Sequence, residues 1–168
     1  TGAVVIGLDT FIGDKLFVTG NLTVSGGTWF NTGDFIVGNY GTGHLTHTGG
    51  TISVNGTVRI ATESSSVGTY TLNGGTLKAG AINKGAGSST FTWNSGSIEA
   101  DLIDFPITNP SGGSLEVKRT TTINGAYTQS AGAVLNINLA STSVADFDQL
   151  SVNGTLTAGG TLTVTTEN

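Results

Sequence analysis

The sequence contains no cysteine and no methionine, and it has only two prolines. Without cysteine the chain has neither disulfides nor thiolate metal sites, so packing and backbone pairing must hold it together. The missing methionine indicates a processed product or an excised segment. No apolar run approaches the roughly 18 residues that a membrane span requires, so the sequence predicts no membrane insertion.

Charge is also scarce, at 10% of the residues with a net charge of −5, against about 25% charged residues in an average soluble domain. The six cations are scattered, and only Lys118 and Arg119 are adjacent. A phosphate-backbone partner requires clustered Lys and Arg, so the sequence predicts no nucleic-acid partner. The hydrophobic content of 36% distinguishes the chain from a disordered one.

A repeat dominates the sequence. Its pattern is an apolar residue, Thr, a variable residue, a small polar residue, two small residues, Thr or Ser, and an apolar residue. Successive copies begin 23, 25, 21 and 36 residues apart. The five copies occupy 22–29, 45–52, 70–77, 91–98 and 127–134.

Each half of the pattern alternates with period two, which is typical of a strand with one buried face, and the small pair between the halves permits a tight corner. Stacked copies bury their apolar faces against one another, which a single copy cannot do. We therefore predict an all-β fold: a right-handed parallel β-helix (β-solenoid) of about seven coils of 21–25 residues, with one longer interruption, forming a single domain over 1–168. An antiparallel sandwich is the alternative. The register predicts an outward ladder of threonines: Thr23, Thr46, Thr71, Thr92 and Thr128.

The longest gap between copies contains both prolines, in segment 101–113. The sequence predicts a protruding loop or an extra half-coil there. Two interpretations of its apolar centre remain open: Phe105, Pro106 and Ile107 form a contact for a partner, or they pack over one side of the rod.

The two ends of the chain match each other. Residues 14–23 (DKLFVTGNLT) align without a gap to 148–157 (DQLSVNGTLT). Either the chain is a segment of a longer solenoid, or its ends dock on one another. In the second case Leu16 and Val18 of one copy would meet Leu162 and Val164 of the next. Strand 160–166 has no Pro or Lys to prevent edge pairing.

The segments 69–77 (TYTLNGGTL) and 146–156 (DFDQLSVNGTL) resemble the β-strand repeats of bacterial surface proteins. These include autotransporter passenger regions and the Gly/Thr-rich repeats of proteins sorted by a PEP-CTERM signal. The resemblance covers most of the chain, and it is poorest at 101–118. It implies a right-handed β-helix, an extracellular or cell-surface location, and an adhesive or scaffolding role.

The sequence offers little for catalysis. The candidate acidic pairs are Asp101 with Asp104 and Asp146 with Asp148, and neither has a cation beside it in sequence. His44 and His47 are three residues apart, which puts them on opposite faces of a strand. We therefore expect no enzyme activity, no metal site and no cofactor.

These observations favour a structural protein that assembles with itself, head to tail, into a filament, sheath or surface layer. The alternative is a passenger-like adhesin or glycan-binding module whose partner is a surface glycan. An ice-binding solenoid would need a flat, regular Thr-x-Thr array, whereas the repeat shows one threonine per strand.

Overall fold

The structure, a computed structural model, describes residues 3–6, 8–139 and 147–166. Every regular element in this part of the chain is a strand, and every ladder between strands is parallel. The strands are β1 (Ala3–Ile6), β2 (Thr10–Ile12), β3 (Thr19–Asn31), β4 (Phe35–Val37), β5 (Thr42–Ile60), β6 (Val67–Leu72), β7 (Thr76–Lys84), β8 (Ser88–Trp93), β9 (Gly96–Ile103), β10 (Ile107–Asn109), β11 (Gly113–Glu116), β12 (Thr120–Ile123), β13 (Tyr127–Gln129), β14 (Val134–Leu139), β15 (Gln149–Val152), β16 (Leu156–Thr157) and β17 (Thr161–Thr166).

The strands wind into a right-handed parallel β-helix of about seven turns, which confirms the predicted fold class. Each turn visits three faces in the order A, B, C. The longest ladder is face B, where the strands stack in the order β1-β3-β5-β7-β9-β11-β14-β17. At about 4.8 Å for each step the rod is about 34 Å tall.

Face A contains 19–24 of β3, 42–47 of β5, β6 and β8, and it continues as a separate three-stranded sheet of β10, β13 and β16. Face C contains β2, β4, the ends of β5, β7 and β9, and then β12 and β15. No ladder joins β8 to β10 among the described residues, so the backbone pairing of face A is interrupted once.

The core runs along the centre of the rod as stacked columns of apolar side chains. On face B, Ile52, Leu77 and Ile98 lie above one another and are fully buried. Such columns exist because equivalent inward positions of successive coils come into register, one strand spacing apart. Face C contributes Phe35, Val58, Ile82, Ile103, Ile123 and Val152.

The small pair of the repeat forms the corner between faces A and B. In each of these corners one glycine has φ between 62° and 90°, a left-handed conformation that side chains with a Cβ avoid. The corner predicted from the sequence is therefore present. The glycines are Gly27, Gly50, Gly75, Gly96, Gly112, Gly132 and Gly160.

Segment 101–113 is part of the rod, so of the two alternatives the protruding loop is wrong, and the segment forms additional coil structure. It contains the end of β9, the whole of β10 and the start of β11. The register pairs Ser97 with Ser114, which makes this a short coil of 17 residues, whereas Val134 pairs with Thr161 across 27. The gap of 36 residues therefore holds two short coils instead of one coil with an insertion.

The same correction applies to the predicted partner contact. Phe105 and Ile107 belong to the buried core, and only Pro106 between them is exposed. Packing into the rod, the second interpretation of this segment, is what the structure shows.

Candidate functional site

Face A presents an uncharged surface to solvent. Thr23, Thr46, Thr71 and Thr92 occupy consecutive rungs in register, and Thr128 continues the face in the second sheet, between Thr108 and Thr157. Two parallel outward columns were missed in the sequence, although the alternation of the strands would have revealed them. They are Thr19, Thr42, Val67 and Ser88, and Asn21, His44, Thr69 and Thr90.

His47 lies inside the rod, in the inward column of Val24, Leu72 and Trp93. Its Nε2 is 3.4 Å from the carbonyl oxygen of Gly50 and its Nδ1 is 3.1 Å from the hydroxyl of Tyr70. Because a carbonyl only accepts, the neutral ring carries its proton on Nε2 and accepts from the tyrosine at Nδ1.

Other inward side chains of face A also donate hydrogen bonds to backbone carbonyls, as His47 does. Trp93 Nε1–H donates to the carbonyl of Gly96 at 3.2 Å, and Gln129 Nε2–H donates to the carbonyl of Thr161 at 2.9 Å. These side chains satisfy buried carbonyls near the corner between faces A and B. The position of His47 is therefore structural, and it is separated from His44 on the outer surface.

The buried histidine makes stability depend on pH. Burial lowers the pKa of His47, and the contacts with the carbonyls of Gly50 and Gly49 offset only part of this effect. Below the ordinary value of 6.5 the unfolded chain binds a proton that the folded chain does not. We expect the free energy of unfolding to be constant above that pH and to fall below it, by at most about 1.4 kcal/mol for each pH unit.

Urea denaturation between pH 5 and 8 measures this slope, and His47→Gln should remove it, because glutamine donates without titrating, as Gln129 does. His44→Gln is the matched control and should leave the slope unchanged. Asp34 and Glu99 lose their stabilising interactions only at lower pH: partial burial raises their pKa values, but bonds with Thr57 and Arg59, and with Lys78, outweigh it. A slope that persists in His47→Gln would contradict the assignment.

Two of the candidate catalytic acids, Asp148 and Asp104, have structural partners. Asp148 accepts from the backbone N–H of Arg119 at 2.7 Å and of Asn138 at 2.8 Å. Asp104 accepts from Asn124 Nδ2 at 2.7 Å. Asp146 lies outside the described residues, so the second pair is not tested.

Within the described ranges, no group of three or more His, Asp or Glu side chains is arranged to hold a metal ion. The same ranges contain no helix long and apolar enough to span a membrane.

The final coil leaves the inward columns of the rod exposed. Leu162 pairs with Leu135 and Val164 with Ile137, so they continue two neighbouring inward columns of face B, yet they are 57% and 48% exposed. A cavity of about 400 Å³ opens beside Leu162, and its lining also includes Leu150 of face C. Among the residues that the structure describes, β17 has a strand neighbour on one side only.

The opposite end differs from its predicted counterpart. Leu16 and Val18 are exposed, but they lie in the turn between β2 and β3 and not in a strand. In the last coil the corresponding residues, Leu150 and Val152, form β15 on face C. The register of 14–18 with 148–152 is therefore wrong in structural terms, and β2 is the true counterpart of β15.

Face B carries a small network of charges on its outer surface. Lys78 Nζ is 2.6 Å from Glu99 Oε2, and Lys118 Nζ is 3.5 Å from Glu99 Oε1. These groups and Asp101 line a groove of about 180 Å³. Because both lysines pair with the same carboxylate, the groove offers no unpaired cation.

Comparisons with protein-family models, with curated proteins and with solved structures find no match for this chain.

Proposed function

We propose that this protein is a structural module of an extracellular or cell-surface assembly, and that copies join end to end through their terminal coils. The observation that carries the proposal is the exposure of Leu162 and Val164, which occupy inward positions of the last coil. The resemblance of its repeats to those of bacterial surface proteins supports the location.

The energetics favour covering this end. Full burial of an exposed Leu or Val side chain stabilises by about 1.5–3 kcal/mol, and the cavity beside Leu162 provides further apolar surface. The free side of β17 presents unpaired N–H and C=O groups, and an incoming strand can pair with them. No residue of β17 is charged, so nothing on this strand opposes the approach.

A head-to-tail contact joins two different surfaces of the same molecule, and it generates an open filament when its rotation does not close. The wild-type protein should therefore form concentration-dependent rods whose width is that of a single solenoid. Sedimentation velocity and negative-stain electron microscopy both detect this.

The double variant Leu162→Lys, Val164→Lys should abolish assembly while leaving the fold intact, because it places two charges in the joint and none in the internal coils. The matched control is Thr161→Lys, Thr163→Lys. It adds the same charge to the same strand, but on the outward face. We expect the control to retain most of the assembly.

Two results would contradict the proposal. The first is a wild-type protein that stays monodisperse at millimolar concentration. The second is equal assembly by the two double variants, which would place the contact elsewhere. In either case a module of a longer adhesin becomes the better account of this fold.

A further inference from the structure

The corner between faces C and A contains two adjacent hollows. The first, of about 150 Å³, is lined by Arg59, Thr62, Asn83, Lys84 and Gly85. The second, of about 290 Å³, is lined by Lys84 together with Phe91, Thr92, Trp93 and segment 105–108. Lys84 lines both hollows, and we name the two hollows together the Lys84 groove.

The fold brings two cations together here. The register of β5 with β7 pairs Arg59 with Asn83 and Ile60 with Lys84, so Arg59 and Lys84 lie on neighbouring rungs. The chain has only six cations and a net charge of −5, so two in one hollow form a local exception to its acidic surface. A negatively charged ligand would find its complement here.

Neither cation is fully neutralised. Arg59 uses its Nε–H to bind Asp34 Oδ2 at 2.7 Å, but its side chain is 42% exposed and a guanidinium has five N–H donors. Within the described part of the chain Lys84 makes no ion pair. Its Nζ lies 4.7 Å from the centre of the Phe105 ring, which holds the ammonium in the groove.

The first hollow also contains two buried polar atoms without a hydrogen-bond partner, Thr62 Oγ1 and Asn83 Oδ1. Buried polar atoms in proteins are almost always bonded, so unpaired ones at the wall of a groove indicate a missing partner. Asn83 Oδ1 only accepts hydrogen bonds, whereas the Thr62 hydroxyl accepts or donates, so a ligand hydroxyl can satisfy either atom. Two cations and these two polar atoms together favour a ligand that has both carboxylates and hydroxyls.

We propose that the Lys84 groove binds an acidic polysaccharide, a chain of sugar units that carry carboxylates. Arg59 and Lys84 bind the carboxylates, and Thr62 and Asn83 bind the ring hydroxyls. The second hollow extends the groove past the exposed Pro106 and Thr108, where further sugar units of the polysaccharide would lie. This binding is independent of the proposed end-to-end assembly, since the groove lies on the side of the rod.

The test uses the wild-type protein and a hexamer of galacturonic acid, with the neutral hexamer of glucose as the matched ligand control. Isothermal titration calorimetry should show binding of the acidic hexamer alone. Binding should weaken as sodium chloride is raised, because exposed charges are screened. No binding of the acidic hexamer, or equal binding of the neutral one, would overturn the proposal.

Variants assign the site. Arg59→Gln and Lys84→Gln should each weaken binding about three- to five-fold, the upper part of the range for one exposed charge pair. Lys15→Gln removes the same charge from an exposed turn outside the groove, and it should leave affinity within about two-fold. Equal losses in all three variants would show only a general effect of net charge and would overturn the site.

The variant Thr62→Val tests the contribution of the Thr62 hydroxyl to binding separately from that of the two cations. Because it removes a buried hydroxyl that has no partner in the protein, it should weaken hexamer binding about three-fold while thermal stability is unchanged or raised. Unchanged affinity would remove Thr62 from the site. A large loss of stability would show that the hydroxyl serves the fold instead, and it would overturn its role in the groove.

Discussion

Replacing Trp93 with alanine is expected to lower the free energy of unfolding by about 3–5 kcal/mol. The side chain is only 7% exposed and lies in the inward column next to Leu72. Its Nε1–H also satisfies the carbonyl of Gly96 at 3.2 Å. The substitution therefore opens a cavity and leaves a carbonyl near the corner without its partner.

Urea denaturation followed by circular dichroism measures this effect. The control is Thr92→Ala, the preceding residue, which points outward and should change stability by no more than about 0.5 kcal/mol. A loss below about 1 kcal/mol for Trp93→Ala would show that the ring contributes little to the core, and the inward assignment of this column would have to be revised.

Gly75→Ala should destabilise the protein by about 2–4 kcal/mol, although it adds only one methyl group. Gly75 has φ of 80°, which costs a residue with a Cβ about 1–2 kcal/mol. The added carbon would also lie 2.5 Å from the carbonyl oxygen of Gly50, in the coil below. Because this contact is with backbone atoms, no flexible side chain can move to relieve it.

Gly26→Ala is the matched control from the same type of corner. Its Cβ would meet no atom within 4 Å, and its φ lies outside the left-handed range. This variant should be neutral or stabilised by about 0.4–1 kcal/mol, because alanine restricts the unfolded chain. Thermal denaturation distinguishes the two, and equal melting temperatures for both variants would contradict the strain assigned to Gly75.

The sequence predicted the class of fold and most of its corners because most coils repeat the same strand–corner–strand pattern. The period-two alternation placed Trp93 inside, and the paired small residues predicted the left-handed glycines Gly75 and Gly96. Neighbouring coils of a solenoid impose the same constraint on equivalent positions, so a pattern visible five times in the sequence constrains the structure strongly.

The short coil was missed because Pro110 stands where the next coil has Ser130, the small polar residue of the repeat. A search for the corner alone would have found it. Ser111-Gly112-Gly113-Ser114-Leu115 contains the small pair, the hydroxyl residue and the apolar residue of the repeat, and Gly112 has the expected φ of 81°. The prolines and the uneven spacing concealed this match.

At the two ends of the chain the sequence misled in the other direction, because two similar segments adopt different conformations. Residues 14–18 resemble 148–152 but form a turn in which Phe17 has φ of 63°. The Lys84 groove was beyond the reach of the sequence for a related reason. Arg59 and Lys84 line one hollow because the register of β5 with β7 pairs Arg59 with Asn83, and the repeat pattern read from the sequence does not extend to that pairing.

Coils of 17 and 27 residues form the same three faces, so the length of the intervening turns is free while the height of each step is fixed. The gain or loss of one whole coil would therefore change the reach of the rod by about 4.8 Å and preserve the surfaces at its ends. Tandem duplication of a short stretch of the gene is enough to do this. In such a protein, evolution can change the length of the rod in small, equal increments while the packing of the core stays the same.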